Sequence, residues 1–294
     1  MKHISSLFAS ILLLILTACT GGKYLETTST GESLFKLGEF QQVMDLSEQL
    51  IVERESRGKL APGSIYSLAG ASAFETGEYD KSLAFLLKAQ MQEYSDERMY
   101  LNLAKNYRHI DNLSKEISSL EAYRELYPQG KNIKVIEERL FQTCLESDNF
   151  ELAEELWTTM DSMSKEDVKN LETYLLLNRA QENETLCDSL AARILDKESE
   201  NEPAMYWIAE SNFWTAENTY ISQMKAYKEN RTHKQYAILL KAFKQVNADF
   251  KESRDYFLKL YKLYPKPEYA AYLGNIYTRL EDEKRANYYK KRSN

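Results

Sequence analysis

Glycine and proline are scarce, 10 and 5 in 294 residues. That leaves too few turn residues for an all-β chain, which needs one at every strand end. Histidine is scarcer: beyond the N-terminal segment only His109 and His233 remain. Neither has a Cys, His or acidic cluster at metal-ligand spacing, so no metal and no cofactor are expected. No Gly-rich phosphate loop and no GxSxG occurs. Past Cys19 there are two cysteines, Cys144 and Cys187, both inside apolar helical patterns. They are expected to be buried free thiols, and no base accompanies them that would activate a nucleophile. With 45 acidic against 38 basic residues and a net charge of −7, the chain is poorly suited to nucleic acid as its main partner. No second long apolar run follows the first, which excludes a membrane-spanning sensor with an output domain on the far side. The composition points away from an enzyme.

What is present begins with Ile4–Leu16, an apolar run of 13 residues. It is shorter than the roughly 20 residues that span a bilayer and has the size of a signal-peptide core. Leu16-Thr17-Ala18-Cys19 closes it. This resembles the bacterial lipobox, in which the chain is cut before the cysteine and the cysteine is acylated. The resemblance implies a signal peptide over residues 1–18, lipid attachment at Cys19, a lipid-anchored tether over 19–32 and a folded domain over 33–294. Acyl chains contribute roughly 0.8 kcal/mol per buried methylene, so two or three make a lasting anchor. Thr20 stands where an Asp resembles an inner-membrane retention signal, so the expected location is the outer membrane, facing the periplasm.

The folded part repeats. In Tyr66–Ala89, apolar or small residues at Tyr66, Ala69, Gly70, Ala73 and Phe74 fall three and four apart, as one helix face requires. Thr76-Gly77-Glu78-Tyr79 interrupts, and Ser82, Leu83, Leu86, Leu87 and Ala89 form a second face. Thirty-four residues on, Tyr100, Leu103, Ala104 and Leu120 occupy the positions of Tyr66, Ala69, Gly70 and Leu86. Near the end, Leu273-Gly274-Asn275-Ile276-Tyr277 repeats the signature. The pattern resembles the tetratricopeptide repeat (TPR), a helical hairpin of 34 residues. An opening hairpin is expected around Gly38-Glu39-Phe40, with Val43 and Leu50, and looser copies at Leu140–Trp157 and Val168–Leu195. Two further ones follow, from Pro203 to Tyr227 and from Gln235 to Tyr264. The resemblance implies an all-α, right-handed superhelix (α-solenoid) of about eight hairpins, each buried only against its neighbours.

In that family the first helix of each hairpin lines a concave face. In register, Arg98, Leu101, Asn102, Lys105, Arg108 and His109 would face this groove, joined by Arg139 with Glu138 and Gln142 nearby. The family's carboxylate clamp is not reproduced: only Asn102 and Arg139 match, while Ser67, Ala71 and Val135 occupy other clamp positions. The expected partner-binding set is Arg98, Asn102, Lys105, Arg108 and Arg139, presenting positive charge to an acidic protein segment or a free C-terminus. The reading is therefore a membrane-anchored scaffold of the bacterial envelope that binds a protein segment. The alternative is a ligand-capturing outer-membrane lipoprotein serving nutrient uptake, against which the shortage of long loops argues.

Overall fold

A computed structural model describes residues 26–293, so Cys19 and the signal segment lie outside the described residues. No strand occurs among them. The described residues divide into two compact units, one ending at Leu156 and the other beginning at Trp157. In the first, α1 (26–37) is followed by α2 (Phe40–Glu55), α3 (Gly63–Glu75), α4 (Tyr79–Met91), α5 (Glu97–His109), α6 (Leu113–Leu126) and α7 (Ile133–Glu146). Helix α8 (Phe150–Thr159) runs across the boundary. The second unit continues with α9 (Ser162–Lys165), α10 (Val168–Ala180), α11 (Glu184–Lys197), α12 (Glu202–Glu229), α13 (His233–Leu263), α14 (Pro267–Arg279) and α15 (Glu283–Lys290).

Apart from the four-residue α9, the helices pair into seven hairpins. Six are closed by the same turn. The residue after the helix cap takes a left-handed backbone: Gly38 and Gly77, then Asp111, Asp148, Glu182 and Glu281, with φ between 54° and 83°. In each, this residue's N–H donates to the carbonyl three back and the next N–H to the carbonyl five back, as Gly77 to Phe74 and Glu78 to Ala73 do. This is the Schellman arrangement, and its last residue already caps the following helix. Asn112 and Asp282, for example, accept from the N–H of Lys115 and Arg285.

Counting from the left-handed residue aligns the hairpins. Seven before it stand Gly31, Gly70, Ala104, Phe141, Leu175 and Gly274; five after it stand Val43, Ser82, Glu116, Ala153, Cys187 and Ala286. In the hairpins of Gly70, Leu175 and Gly274 these two positions are where the paired helices cross. A Cβ on Gly70 would lie 2.6 Å from Leu86 Cγ and 3.1 Å from the Ser82 carbonyl oxygen. Ser82 Oγ donates to the Gly70 carbonyl at 2.7 Å, and Cys187 Sγ approaches the matching Leu175 carbonyl at 3.7 Å. Cys144 and Cys187 are both free and buried. Burial raises their thiols to about 12 and about 11, which suits a packing role.

One stretch departs from the repeat. Residues 203–264, expected to hold two hairpins, form a single long one: α12 has 28 residues and α13 has 31. Its connection, Asn230-Arg231-Thr232, has no left-handed residue. The crossing contact survives, because Ser253 Oγ donates to the Ala209 carbonyl at 2.7 Å. Residues 26–32 are helical and form the first part of α1.

Candidate functional site

Helix α3 explains how a site arises in the first unit. Ten of its residues are buried, among them Gly63, Ser67, Ala71 and Ser72. These small side chains let groups from α1 and α5 meet across it. Arg98 Nη2 donates to both carboxylate oxygens of Glu32, at 2.7 and 2.8 Å, and its guanidinium lies 4.8 Å from the centre of the Phe35 ring. Beside this bridge opens a cavity of about 610 Å³, lined on one side by Glu32, Phe35 and Lys36 and on the other by Arg98, Leu101, Asn102 and Lys105.

The polar groups at the cavity are unevenly satisfied. Asn102 is 3% exposed and its Nδ2 donates to the Arg98 carbonyl at 2.8 Å. Its Oδ1 is buried without a hydrogen-bond partner, and so is Nη1 of Arg98. Lys105 pairs with Glu75 at 3.2 Å and lies 5.2 Å from the centre of the Phe74 ring. Asp96 is occupied by Ser67 and the Met99 N–H, and Glu97 by the Tyr123 hydroxyl. The lining carries four cations (Lys36, Arg98, Lys105, Lys131) and four carboxylates (Glu32, Glu75, Asp96, Glu97). Local charge is thus balanced, where the sequence reading anticipated an excess of positive charge.

Three of the five expected residues, Arg98, Asn102 and Lys105, are brought together. Arg108 is exposed at the end of α5, outside the cavity lining. His109, beside it, stacks on Tyr79 with ring centres 3.7 Å apart. Arg139 is committed elsewhere. Its Nε and Nη2 donate to Glu116 at 2.7 and 3.1 Å, and Nη1 and Nη2 to Glu146 at 2.8 and 2.9 Å. Glu116, only 1% exposed, occupies a position where the other aligned hairpins carry Ser, Ala, Val or Cys. A carboxylate there requires a counter-charge, and Arg139 supplies it. Sequence reasoning did not single out Glu32, Phe35 and Lys36 of α1, which form one wall.

A second cavity, of about 590 Å³, lies in the second unit, with Phe213, Trp214 and Glu217 of α12 against Glu268, Tyr272, Asn275 and Arg279 of α14. Glu268, Ala271, Tyr272 and Asn275 precede Glu281 by 13, 10, 9 and 6 residues, as Arg98, Leu101, Asn102 and Lys105 precede Asp111. The two cavities therefore use the same helix face. The second is aromatic: Trp214 is 49% exposed and packs edge-on against Phe213. Arg279 is tied to Glu217 and lies 4.4 Å from the centre of the Tyr220 ring. Among the described residues no cluster of three or more His, Cys, Asp or Glu is placed to hold a metal, and no helix is long and apolar enough to cross a membrane.

Stacked antiparallel hairpins with a common turn define the class as a TPR-like α-hairpin solenoid. Solved structures agree on that fold. The C-terminal part of a TPR repeat-containing protein from Cytophaga hutchinsonii superposes with a TM-score of 0.56 at 13% identity, covering 90% of this chain and 93% of that one. A tetratricopeptide repeat protein from Parabacteroides merdae gives 0.51 at 10% identity, covering 92% of each chain. No protein-family model and no curated protein sequence matches the chain.

Proposed function

We propose that the protein is an envelope scaffold whose first unit binds an extended protein segment across α3, between α1 and α5. One observation carries this reading. Two residues that line the cavity carry buried polar atoms without partners, the acceptor Asn102 Oδ1 and the donor Arg98 Nη1. A polar atom left unsatisfied in a folded chain costs roughly 1–3 kcal/mol, and a peptide amide offers the matching donor and acceptor together. Phe35 and Leu101 supply apolar contact. Lys36 and Lys131 lie at the cavity lining with no ion pair among the described residues, and so do Asp96 and Glu97, so a segment carrying charges of both signs fits the lining. Acylation of Cys19 would hold the scaffold at the outer membrane, on its periplasmic side.

The test is photocrosslinking in intact cells, with a photoreactive residue replacing Leu101 and a control at Met91, which is 80% exposed on α4. A protein adduct specific to position 101 supports the reading; adducts from the control alone refute it. A second reading, capture of a small ligand for nutrient uptake, is favoured by the exposed Trp214 beside Tyr272 in the second cavity. It requires Trp214 fluorescence to respond to a small ligand, and a Trp214→Ala variant to lose that ligand.

A further inference from the structure

The long hairpin has a distal half that the repeat does not use. Helices of 28 and 31 residues extend about 42 and 46 Å, against about 20 Å for the neighbouring α11 and α14. The buried core of the hairpin ends at Ala216 on α12 and resumes at Val246 on α13; between them only Leu239 is buried. The distal helices hold each other through rings, Tyr220 on Phe243 at 5.2 Å and Tyr227 near Tyr236 at 5.6 Å.

This finger inverts the charge of the chain. Residues 221–244 carry Lys225, Lys228, Arg231, Lys234, Lys241 and Lys244 against the single acid Glu229, a formal +5 in a protein of −7. All six cations are exposed. The ion pairs of the second unit fall on Arg179, Arg193, Lys197, Arg254, Lys266, Arg279 and Arg285, and none falls within 221–244. Large apolar side chains are exposed among these cations: Ile221 at 52%, Tyr236 at 46%, Ile238 at 44% and Leu240 at 48%. Tyr236 and Leu240, four apart, share one face of α13, while Ile238 lies on the other flank.

We infer that this finger docks on an anionic lipid surface. Cations among exposed apolar side chains are what the headgroup and acyl boundary of such a membrane accepts. The two groups are distributed around a projecting tip rather than along a groove, which suits a deformable surface better than a rigid protein cleft. The inference is independent of the α3 cavity, which lies in the other unit.

Hydrogen exchange of the full chain with phosphatidylcholine vesicles, with and without phosphatidylglycerol, tests it. The expected result is slowed exchange across 221–244 only with the anionic lipid, weakening as salt is added. A Lys228→Gln/Arg231→Gln/Lys234→Gln variant should raise the anionic-lipid concentration needed by about a hundredfold, at about fivefold per charge removed. Tyr236→Ser/Leu240→Ser should weaken protection without altering its dependence on lipid charge. Equal protection on neutral and anionic vesicles, no protection on either, or protection only when an acidic protein is added would each overturn the assignment.

Discussion

Replacing Arg139 with Ala separates a structural residue from a binding one. Glu116 is 1% exposed, and Arg139, at 14% side-chain exposure, contributes two N–H groups to it. Glu146 holds the other side of the guanidinium. Removing the arginine leaves a buried carboxylate without its counter-charge, a loss of roughly 3–5 kcal/mol for a pair of this kind. At about 2–4 °C per kcal/mol, the melting temperature should fall by roughly 6–20 °C. The remedy is specific. Glu116→Leu with Arg139→Met replaces both charges with apolar volume and should recover most of the loss. Urea unfolding of the two single variants and the double variant yields the coupling directly. A destabilisation below about 1 kcal/mol for Arg139→Ala, or a double variant no better than its parents, would refute the assignment of Arg139 to the fold.

The two glycines of the second hairpin should respond differently. Gly70→Ala forces a methyl against Leu86 and the Ser82 carbonyl and should cost about 1–3 kcal/mol through overpacking. Gly77→Ala has open space and only a left-handed φ of 83° to bear, so its cost should be about 1 kcal/mol. A larger loss for Gly77→Ala than for Gly70→Ala in urea unfolding would contradict the turn analysis. Conversely, Glu182→Gly should stabilise by a few tenths of a kcal/mol to about 1 kcal/mol, by relieving a left-handed non-glycine residue. Alkali should unfold the protein early. Burial, and then the bond to Glu55, raises Tyr66 from 10.0 to about 12; burial, and then the bond to Glu97, raises Tyr123 in the same direction. The folded state keeps protons that the unfolded chain gives up, so stability falls as pH rises through this window, by up to about 1.4 kcal/mol per unit for each buried phenol. A melting temperature flat from pH 10 to pH 12 would contradict this. Cys19→Ser should abolish palmitate labelling; undiminished labelling would end the lipoprotein proposal.

The hairpin repeat was legible because its signals are local. Tyr66 and Tyr100, Ala69 and Leu103, Gly70 and Ala104 recur at a fixed spacing, and Gly38 and Gly77 mark turns that favour glycine. The turns at Asp111, Asp148, Glu182 and Glu281 were harder, since acidic residues there disguise the same left-handed backbone. Residues 203–264 misled because Asn230-Arg231-Thr232 is the only break, and periodicity does not reveal how far each helix runs before packing against a neighbour. In the site, register alone placed Arg98, Asn102 and Lys105 on one face. It gave no warning that Glu116, 23 residues before Arg139, would be buried and claim it. Nor does the Gly38 turn, which closes α1, show that Glu32 and Phe35 stand across the cavity from α5. Three of the 21 tyrosines, Tyr66, Tyr123 and Tyr269, each donate to a carboxylate, Glu55, Glu97 and Glu202, pairings that only the fold brings together.

The central proposal is that Asn102 Oδ1 accepts a peptide N–H of the bound segment. Once crosslinking at position 101 identifies the bound segment, it can be titrated calorimetrically as a peptide, unmodified and N-methylated at the contacting amide, against wild-type protein and Asn102→Ala. Each change alone should weaken binding about 2–10-fold, the worth of roughly 0.5–1.5 kcal/mol of hydrogen bond, and the two together should cost no more than one. Independent, additive losses, or an affinity untouched by Asn102→Ala, would contradict the account.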